Sequence, residues 1–328
     1  MWTEFVSADG LCHPDGRAVI MTDLLYTESE RPIVAQVFTA HPEKMCEAAR
    51  FIRELGFDGL DINMGCPDKS IMKQGAGAKL MQDPVRAQAL IVAAKEGVED
   101  KIPVSVKTRI GFGTNELETW LPALLEAKPA AITVHARTKK ELSLVPARWE
   151  HVARAVELAQ GSGVLILGNG DVKNLAEARE RVRETGCDGV MIGRGIFGNP
   201  WLFADGKNEV SLEEKLRVMV EHTELYEQLF KDTKSFKLMK KHYKAYVHGF
   251  DGAKELRVAL MNCYTATEVR QQVEEFMQTK KGIRSLFITE GFEGVDAGCF
   301  ARREDTRHES DYCSEKNNGC DKPEWTIK

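Results

Sequence analysis

Polar and apolar residues alternate along four short segments of the chain, and the polar ones are of types that bind ligands or move protons. Successive side chains of a β-strand point to opposite faces, so the polar residues of each segment share one face. These residues are Gln36, Asp61, Asn63, Ser105, Lys107, Arg109, Thr133, His135 and Arg137. Each alone is equally well explained as a hydrogen-bonded core residue. Together they are hard to bury without a ligand, because an unpaired buried charge is costly, and they predict a binding site.

Cys66 directly follows one of these segments, between Gly65 and Pro67. A lone cysteine is more often a small buried apolar residue than a catalyst. This one lies where the polar groups converge, which makes it a candidate nucleophile or proton donor. Cys299, Cys313 and Cys320 form no C-x-x-C pair, and no adjacent histidines complete a zinc set, so we predict no structural metal.

Two glycine-containing loops, 168–171 (GNGD) and 193–195 (GRG), follow the last two strand-like segments. Glycine lets backbone N–H groups approach phosphate oxygens, and Arg194 can add a charge-assisted fork. Barrels of parallel strands often bind phosphate with the loops after their seventh and eighth strands. Two such loops at these positions indicate a phosphorylated cofactor, although ordinary turns also use glycine.

The elements that must position these residues are strands alternating with helices. The predicted strands are 2–8, 32–38, 59–65, 103–111, 131–137, 164–170 and 189–195. Short apolar runs separated by helical stretches predict a parallel α/β sheet with crossover connections. Seven units fit an eight-stranded (β/α)8 TIM barrel that lacks its first βα unit better than a doubly wound sheet of five or six strands. Because Met1 falls almost on a strand, we expect the chain to begin inside the domain.

Composition and charge narrow the class of protein. A chain of 328 residues with 43% hydrophobic and 29% charged residues is neither disordered nor collagenous. The net charge of -5 argues against a uniformly basic nucleic-acid binder. The sequence contains no apolar run long enough to span a bilayer, residues 1–10 lack the basic and apolar regions of a signal peptide, and the eight cysteines are scattered. We therefore expect a cytoplasmic monomer with no membrane association and no obligate protein partner.

Three regions follow from these patterns. Residues 1–204 are predicted to form the barrel, residues 205–290 a small helical domain, and residues 291–328 a polar, flexible tail. Between Lys231 and Arg257, eight Lys and Arg residues stand against three Asp and Glu residues. Such a run is usually a solvated face, but beside a polar barrel mouth it favours contact with a nucleic-acid backbone. Lys237, Lys240 and Lys241 are the candidate contacts.

Several motifs, in the order in which they occur, resemble those of the tRNA-dihydrouridine synthases. They are DINMGCP, GAGAKLM, VKTRIGF, VHARTK, GNGD and GVMIGRGIFGNPWLF, and segment 237–260 is similar to that family's helical RNA-binding domain. The resemblance covers roughly residues 1–285. It implies an FMN-dependent barrel that reduces the C5–C6 double bond of specific tRNA uridines, with NADPH as reductant. The Pro-Met-Ala-type loop with which family members open has no counterpart here.

The resemblance also implies roles for single residues. Cys66 would be the proton donor, and Asn63 and Arg137 would face the uracil. The residues that would hold FMN are Gln36, Lys107, His135, Asn169, Gly170, Asp171, Gly193 and Arg194. Two alternatives remain open at this stage. One is another FMN barrel oxidoreductase that acts on a small pyrimidine, and the other is a truncated, non-catalytic RNA-binding relative.

Overall fold

Seven parallel strands form one sheet, in the order in which they occur along the chain. The computed structural model describes residues 1–204 and 210–279. The strands are Val6–Ser7 (β1), Val34–Phe38 (β2), Gly59–Asn63 (β3), Val104–Arg109 (β4), Ala131–His135 (β5), Leu165–Asn169 (β6) and Gly189–Met191 (β7). Within the described ranges β1 pairs only with β2 and β7 only with β6. The predicted α/β class and the count of seven parallel strands are confirmed.

Helices follow the strands and cover one face of the sheet. They are Ala8–Leu11 (α1), Pro14–Ile20 (α2), Pro42–Glu54 (α3), Lys69–Lys73 (α4), Pro84–Val98 (α5), Leu117–Glu126 (α6), Glu150–Ala159 (α7) and Leu175–Thr185 (α8). Local sequence fixes several of their ends. The side chain of Asp83 caps the amino end of α5, that of Asn174 caps α8, and Gly186 ends α8 in a left-handed conformation.

The predicted strand 2–8 is much shorter in the structure. Only Val6–Ser7 is a strand, and a single parallel bridge joins Trp2 to Val34. The Ser7 hydroxyl accepts a hydrogen bond from the backbone N–H of Gly10 at 3.2 Å and so caps α1, which draws the chain out of the sheet. The predicted strand 189–195 likewise ends at Met191, and a 3-10 turn follows at Arg194–Ile196.

The register of the strands sets polar residues beside one another. Asp61 on β3 is aligned with Gln36 on β2 and with Ser105 on β4. His135 on β5 is aligned with Arg109 on β4 and with Asn169 on β6. The alternating apolar residues of the same strands are buried under the helices. The polar face predicted from the alternation is therefore continuous from β2 to β6.

A second group of helices has its own hydrophobic core. These helices are Leu212–Phe230 (α9), Lys240–Tyr246 (α10), Ala253–Met261 (α11) and Ala266–Thr279 (α12), with a 3-10 turn at Phe236–Met239. The inward-facing stripe of α9 is fully buried in this core, with Leu216, Met219, Val220 and Thr223 all at 0% exposure. The boundaries 205–290 remain a prediction, and the predicted tail 291–328 lies outside the described residues.

The helices α9 and α10 pack on the chain that leaves β7. Phe197 stacks edge-on against His242, and His242 in turn contacts His222 at a ring-centroid distance of 5.0 Å. Gly198 has φ +72°, and a Cβ there would lie 2.1 Å from the backbone oxygen of Ala245. Only glycine allows so close an approach of the two segments. The strand that ends at the polar site is thus coupled to the helices through one aromatic cluster.

We expect acid to weaken this cluster. Burial, reinforced by His222 and Lys241, lowers the pKa of His242 to about 4 from its ordinary 6.5. The unfolded chain therefore binds a proton that the folded chain does not, and the free energy of unfolding falls as pH drops from 6.5 towards 4. We expect the free energy of unfolding in urea to fall between pH 7.5 and pH 5, and to fall by ~1 kcal/mol more in the wild type than in His242→Phe. The exposed control, His13→Gln, should keep the wild-type difference, and an equal difference in His242→Phe would contradict the assignment.

Candidate active site at the carboxyl ends of the strands

A cavity of about 280 Å³ opens at the carboxyl ends of β4 to β7. Its wall holds Lys107, Arg109, His135, Ser143, Asn169, Gly170, Asp171, Val172, Met191, Gly193, Arg194 and Gly195. The structure therefore brings together seven of the eight residues predicted to hold a cofactor, and Gln36 is the exception. Residues at the carboxyl ends of parallel barrel strands are where such folds carry their active sites.

Lys107 brings an unsatisfied positive charge to the cavity. Its ammonium group has no hydrogen-bond or ion-pair partner among the residues that the structure describes. Burial lowers the pKa of Lys107 to about 8, against the charge of Asp61, which raises it. The group is thus mostly protonated at neutral pH, in a site where an unpaired cation is costly. An anionic ligand in the cavity would relieve that cost.

His135 is a neutral imidazole in the same wall. Burial, reinforced by Arg109, Lys107 and Arg137, lowers its pKa to about 2. The guanidinium of Arg137 lies 3.1 Å from Nε2 of His135. Since an arginine only donates hydrogen bonds, Nε2 accepts and the ring proton resides on Nδ1. His135 therefore offers a neutral donor to a ligand.

The loop 168–171 is held rigidly beside His135. Asp171 accepts hydrogen bonds from Arg137, from the backbone N–H of Ala147 at 2.9 Å and from Arg194 at 3.2 Å. The bond from Arg137 is the largest cause of the low pKa of this carboxylate. Gly170 has φ +138°, and a Cβ there would lie 2.7 Å from that of Ala147, so the turn requires glycine.

The guanidinium groups of Arg137 and Arg109 are held in place by hydrogen bonds to other parts of the protein. Arg137 is 2% exposed and also donates to the backbone oxygen of Val145 at 2.6 Å. The guanidinium of Arg109 donates to Gly65 O at 2.8 Å and to Thr138 O at 3.1 Å, which joins the loops after β3 and β5. The strand alternation placed Arg109 on the polar face but indicated no such role.

Cys66 lies in the loop after β3, and Asn63 organises that loop. The side-chain oxygen of Asn63 accepts hydrogen bonds from the backbone N–H of Gly65 at 3.1 Å and of Cys66 at 2.9 Å. Burial raises the pKa of the Cys66 thiol, and the hydrogen bond from the backbone N–H of Asp68 and the charges of Arg109 and Lys107 counteract this only in part. The thiol is therefore protonated at neutral pH and suited to act as an acid.

Gln36, Asn63 and two residues without a predicted role form a buried network beside the cavity. Gln36 donates to Asp61 at 2.6 Å and accepts from Asn63 at 3.0 Å, and Ser105 donates to Asp61 at 2.6 Å. Desolvation raises the pKa of Asp61 to about 6. The alternation of polar and apolar residues predicted that Asp61 and Ser105 lie on the polar face, but it predicted no role for either residue. Ser143 and Met191 lie in the cavity wall without any sequence signal that we recognise.

The three lysines predicted to contact nucleic acid differ in their surroundings. Lys240 donates to the backbone oxygen of Met261 at 2.6 Å and lies 3.9 Å from the ring centroid of Tyr264. Lys241 is 3.8 Å from a carboxylate oxygen of Glu4. No partner is found for the Lys237 ammonium within 1–204 and 210–279. Lys240 thus closes the carboxyl end of α11, which leaves Lys237 as the freest of the three.

Neither a metal centre nor a membrane span is found in the part of the chain that the structure describes. No group of three or more His, Cys, Asp or Glu side chains there could hold a metal ion. None of the helices in the described ranges is long and apolar enough to cross a membrane.

Fold and site together define a parallel α/β protein of the barrel type with a polar site at the carboxyl ends of its strands. The chain belongs to the dihydrouridine synthase (Dus) family, whose model matches residues 1–281. It is 38% identical over 279 residues to "Probable tRNA-dihydrouridine synthase 2" of Bacillus subtilis (strain 168), across 84% of this chain and 85% of that protein. It is 37% identical to "Probable tRNA-dihydrouridine synthase" of Staphylococcus aureus (strain COL), across 84% of each chain.

Proposed function

We propose that this protein reduces the C5–C6 double bond of specific uridines in tRNA to 5,6-dihydrouridine, with FMN as cofactor and NADPH as reductant. One observation carries the proposal. In a chain of the dihydrouridine synthase family, the cavity at the ends of β4 to β7 has an unpaired cation, Lys107, in its wall. A flavin with its phosphate is anionic and would satisfy that cation.

The residues around the cavity fit an anionic, phosphorylated cofactor. There is open space beside the Cα of Gly193, and the Arg194 side chain is 65% exposed next to it, so both can meet a phosphate. The residues that would hold FMN are Gln36, Lys107, His135, Asn169, Gly170, Asp171, Gly193 and Arg194. When bound, FMN supplies the hydride that reduces the uracil ring.

Cys66 would complete the reduction by donating a proton. Its S–H bond breaks as a new C–H bond forms at C5 of the uracil, and the thiolate left behind is protonated again from solvent. The raised pKa of this thiol keeps the proton available at neutral pH. Asn63 and Arg137 are proposed to face the uracil. A side-chain amide has two N–H hydrogens and a guanidinium has five. Asn63 and Arg137 use only some of theirs in hydrogen bonds within the protein, so each has N–H hydrogens left to donate to a uracil.

The helices of residues 210–279 are proposed to hold the tRNA. The excess of lysine and arginine between Lys231 and Arg257 supports contacts with phosphates, which dominate the affinity of proteins for nucleic acids. A uridine within a folded tRNA must leave its stack to reach the cavity, as target bases do in other enzymes that modify them. We also propose that the protein acts as a monomer in the cytoplasm, which light scattering and cell fractionation test.

The visible spectrum of the purified protein tests the cofactor. We expect flavin bands that NADPH bleaches without RNA, and release of FMN on denaturation. A colourless protein that free FMN cannot reconstitute would contradict the proposal and favour a non-catalytic RNA-binding protein. Turnover of free uridine in preference to tRNA would instead favour an oxidoreductase for small pyrimidines.

Charge reversal of Lys237 and Lys244 should weaken tRNA binding. Both are exposed, and for each phosphate that the protein no longer neutralises, the slope of log K against log salt should fall by about one unit. A control variant with the same change of charge reverses Lys95 and Lys101 near the amino end of β4. Because Lys95 donates to Lys128 O and Lys101 pairs with Glu99, the melting temperature of this control variant is compared as well. Filter binding at several salt concentrations measures both variants, and the reduction of flavin by NADPH should stay at the wild-type rate. Equal affinity of both double variants for tRNA would mean that the segment is only a solvated face.

A further inference from the structure

A fully buried carboxylate begins a chain of hydrogen bonds that ends at the backbone of Cys66. Asp61 is 0% exposed, and its two oxygens accept from the amide of Gln36 and the hydroxyl of Ser105, each at 2.6 Å. Gln36 in turn accepts from Asn63 at 3.0 Å, and Asn63 accepts from the N–H of Cys66 at 2.9 Å. The chain crosses from β3 to β2 and returns to the loop after β3.

Both ends of this chain fix its direction, because the carboxylate of Asp61 only accepts hydrogen bonds and the backbone N–H groups of Gly65 and Cys66 only donate them. An ionised carboxylate only accepts hydrogen bonds, so Gln36 must turn its NH₂ group towards Asp61 and its oxygen towards Asn63. Asn63 must then present its own NH₂ to Gln36, which leaves its oxygen for the N–H groups of Gly65 and Cys66. If the amide of Gln36 turned over, its oxygen would face the carboxylate of Asp61 and its NH₂ the NH₂ of Asn63.

We propose that Asp61 is a positioning residue for the Cys66 thiol. It anchors the amide of Gln36, Gln36 anchors the side chain of Asn63, and Asn63 holds the N–H side of the loop. The carbonyl side of the same loop is held independently, because Arg109 donates to Gly65 O at 2.8 Å and the N–H of Ala78 donates to Cys66 O at 2.9 Å. Loss of Asp61 therefore loosens the thiol while the loop stays attached. The catalytic purpose of this positioning rests on the proposed function, but the positioning itself does not.

Three variants separate orientation from charge and from packing. Asp61→Leu has a similar shape and accepts nothing, so it releases Gln36 and removes the support that Gln36 gives to Asn63. Asp61→Asn also lacks the charge but keeps an oxygen for Gln36, and the Ser105 hydroxyl can rotate to accept its NH₂ group. Ser105→Ala removes the other hydrogen bond to Asp61 and leaves the chain to Cys66 intact. Gln36→Met breaks the second link and replaces Asp61→Leu should that variant not fold; since Gln36 is also proposed to hold FMN, this variant is compared by alkylation alone.

The readout is the pH profile of alkylation of Cys66 by iodoacetamide, followed on its peptide by mass spectrometry. In Asp61→Leu we expect about tenfold more alkylation at neutral pH, with the profile displaced to lower pH, because loosening relieves the burial that is the largest cause of the raised pKa of Cys66. Asp61→Asn and Ser105→Ala should stay close to the wild type. In the dihydrouridine assay, Asp61→Leu should lose about tenfold to hundredfold in kcat, with KM for tRNA unchanged.

The positioning role is refuted if folded Asp61→Leu keeps the wild-type alkylation profile, or if Ser105→Ala changes it as much as Asp61→Leu does. Alkylation needs neither tRNA nor turnover. A protein that makes no dihydrouridine but shows the expected alkylation profiles would therefore refute the proposed function and leave this inference standing.

Discussion

Replacement of Cys66 by alanine is expected to slow dihydrouridine formation about 10²–10⁴-fold, the usual cost of losing a general acid. The thiol is partly buried, with its pKa raised by burial, and its loop meets the polar face through Asn63 and Arg109. It is not in the wall of the cavity proposed for FMN. Flavin content and the rate of flavin reduction by NADPH should therefore equal those of the wild type, so that only the step on tRNA is lost.

The matched control for this variant is Cys46→Ala, because Cys46 is a free, partly buried cysteine on α3. It should keep full turnover. Single-turnover measurements with prereduced enzyme compare the two variants directly. Dihydrouridine formation at the wild-type rate in Cys66→Ala would remove Cys66 from the mechanism, and an equal loss in both variants would point to a general loss of stability.

Replacement of Lys107 by methionine is expected to release the flavin. The unpaired ammonium is the group in the cavity wall most in need of an anion, and a hydrogen bond to a charged group contributes about 1.5–3 kcal/mol, which is roughly ten- to hundredfold in affinity. Fluorescence titration of apoprotein with FMN measures the change. Lys107→Arg keeps the charge and should bind FMN more tightly than Lys107→Met.

A second readout separates binding from folding. Burial penalises the charged form of Lys107, as its lowered pKa indicates, so neutral methionine should leave the melting temperature of the apoprotein equal or higher. The wild type should also lose affinity for FMN as pH rises through about 8, because the lysine then loses its charge. Unchanged affinity in Lys107→Met, or a lower melting temperature of its apoprotein, would contradict the role assigned to this residue.

Sequence periodicity predicted the wall of the site because a parallel sheet leaves little freedom there. Once Lys107, Arg109 and His135 alternate with buried apolar residues, the register of neighbouring strands brings them together. Glycine at position 170 is required by the turn itself. These features depend on the backbone, and the backbone follows from the pattern of apolar residues.

Side-chain contacts between segments that are distant in the sequence could not be predicted from the sequence alone. Arg137 lies on the predicted face, but only the structure reveals that Asp171 and Val145 O occupy its guanidinium. The chain from Asp61 through Gln36 depends on distances across two strands, which alternation does not give. Lys240 is a predicted contact with nucleic acid, yet its ammonium group donates to the carbonyl of Met261 on another helix. In each case the rotamer of the side chain and its hydrogen-bond partner depend on segments that are close only in the folded structure.

Incubation of the flavin-loaded protein with unmodified tRNA and NADPH, followed by nucleoside mass spectrometry, tests the central claim most directly. The account predicts that particular uridines gain two hydrogens and become dihydrouridine. It predicts that this gain requires NADPH and is lost in Cys66→Ala. If a protein that contains FMN and is reduced by NADPH leaves every uridine of the tRNA unchanged, the account is contradicted.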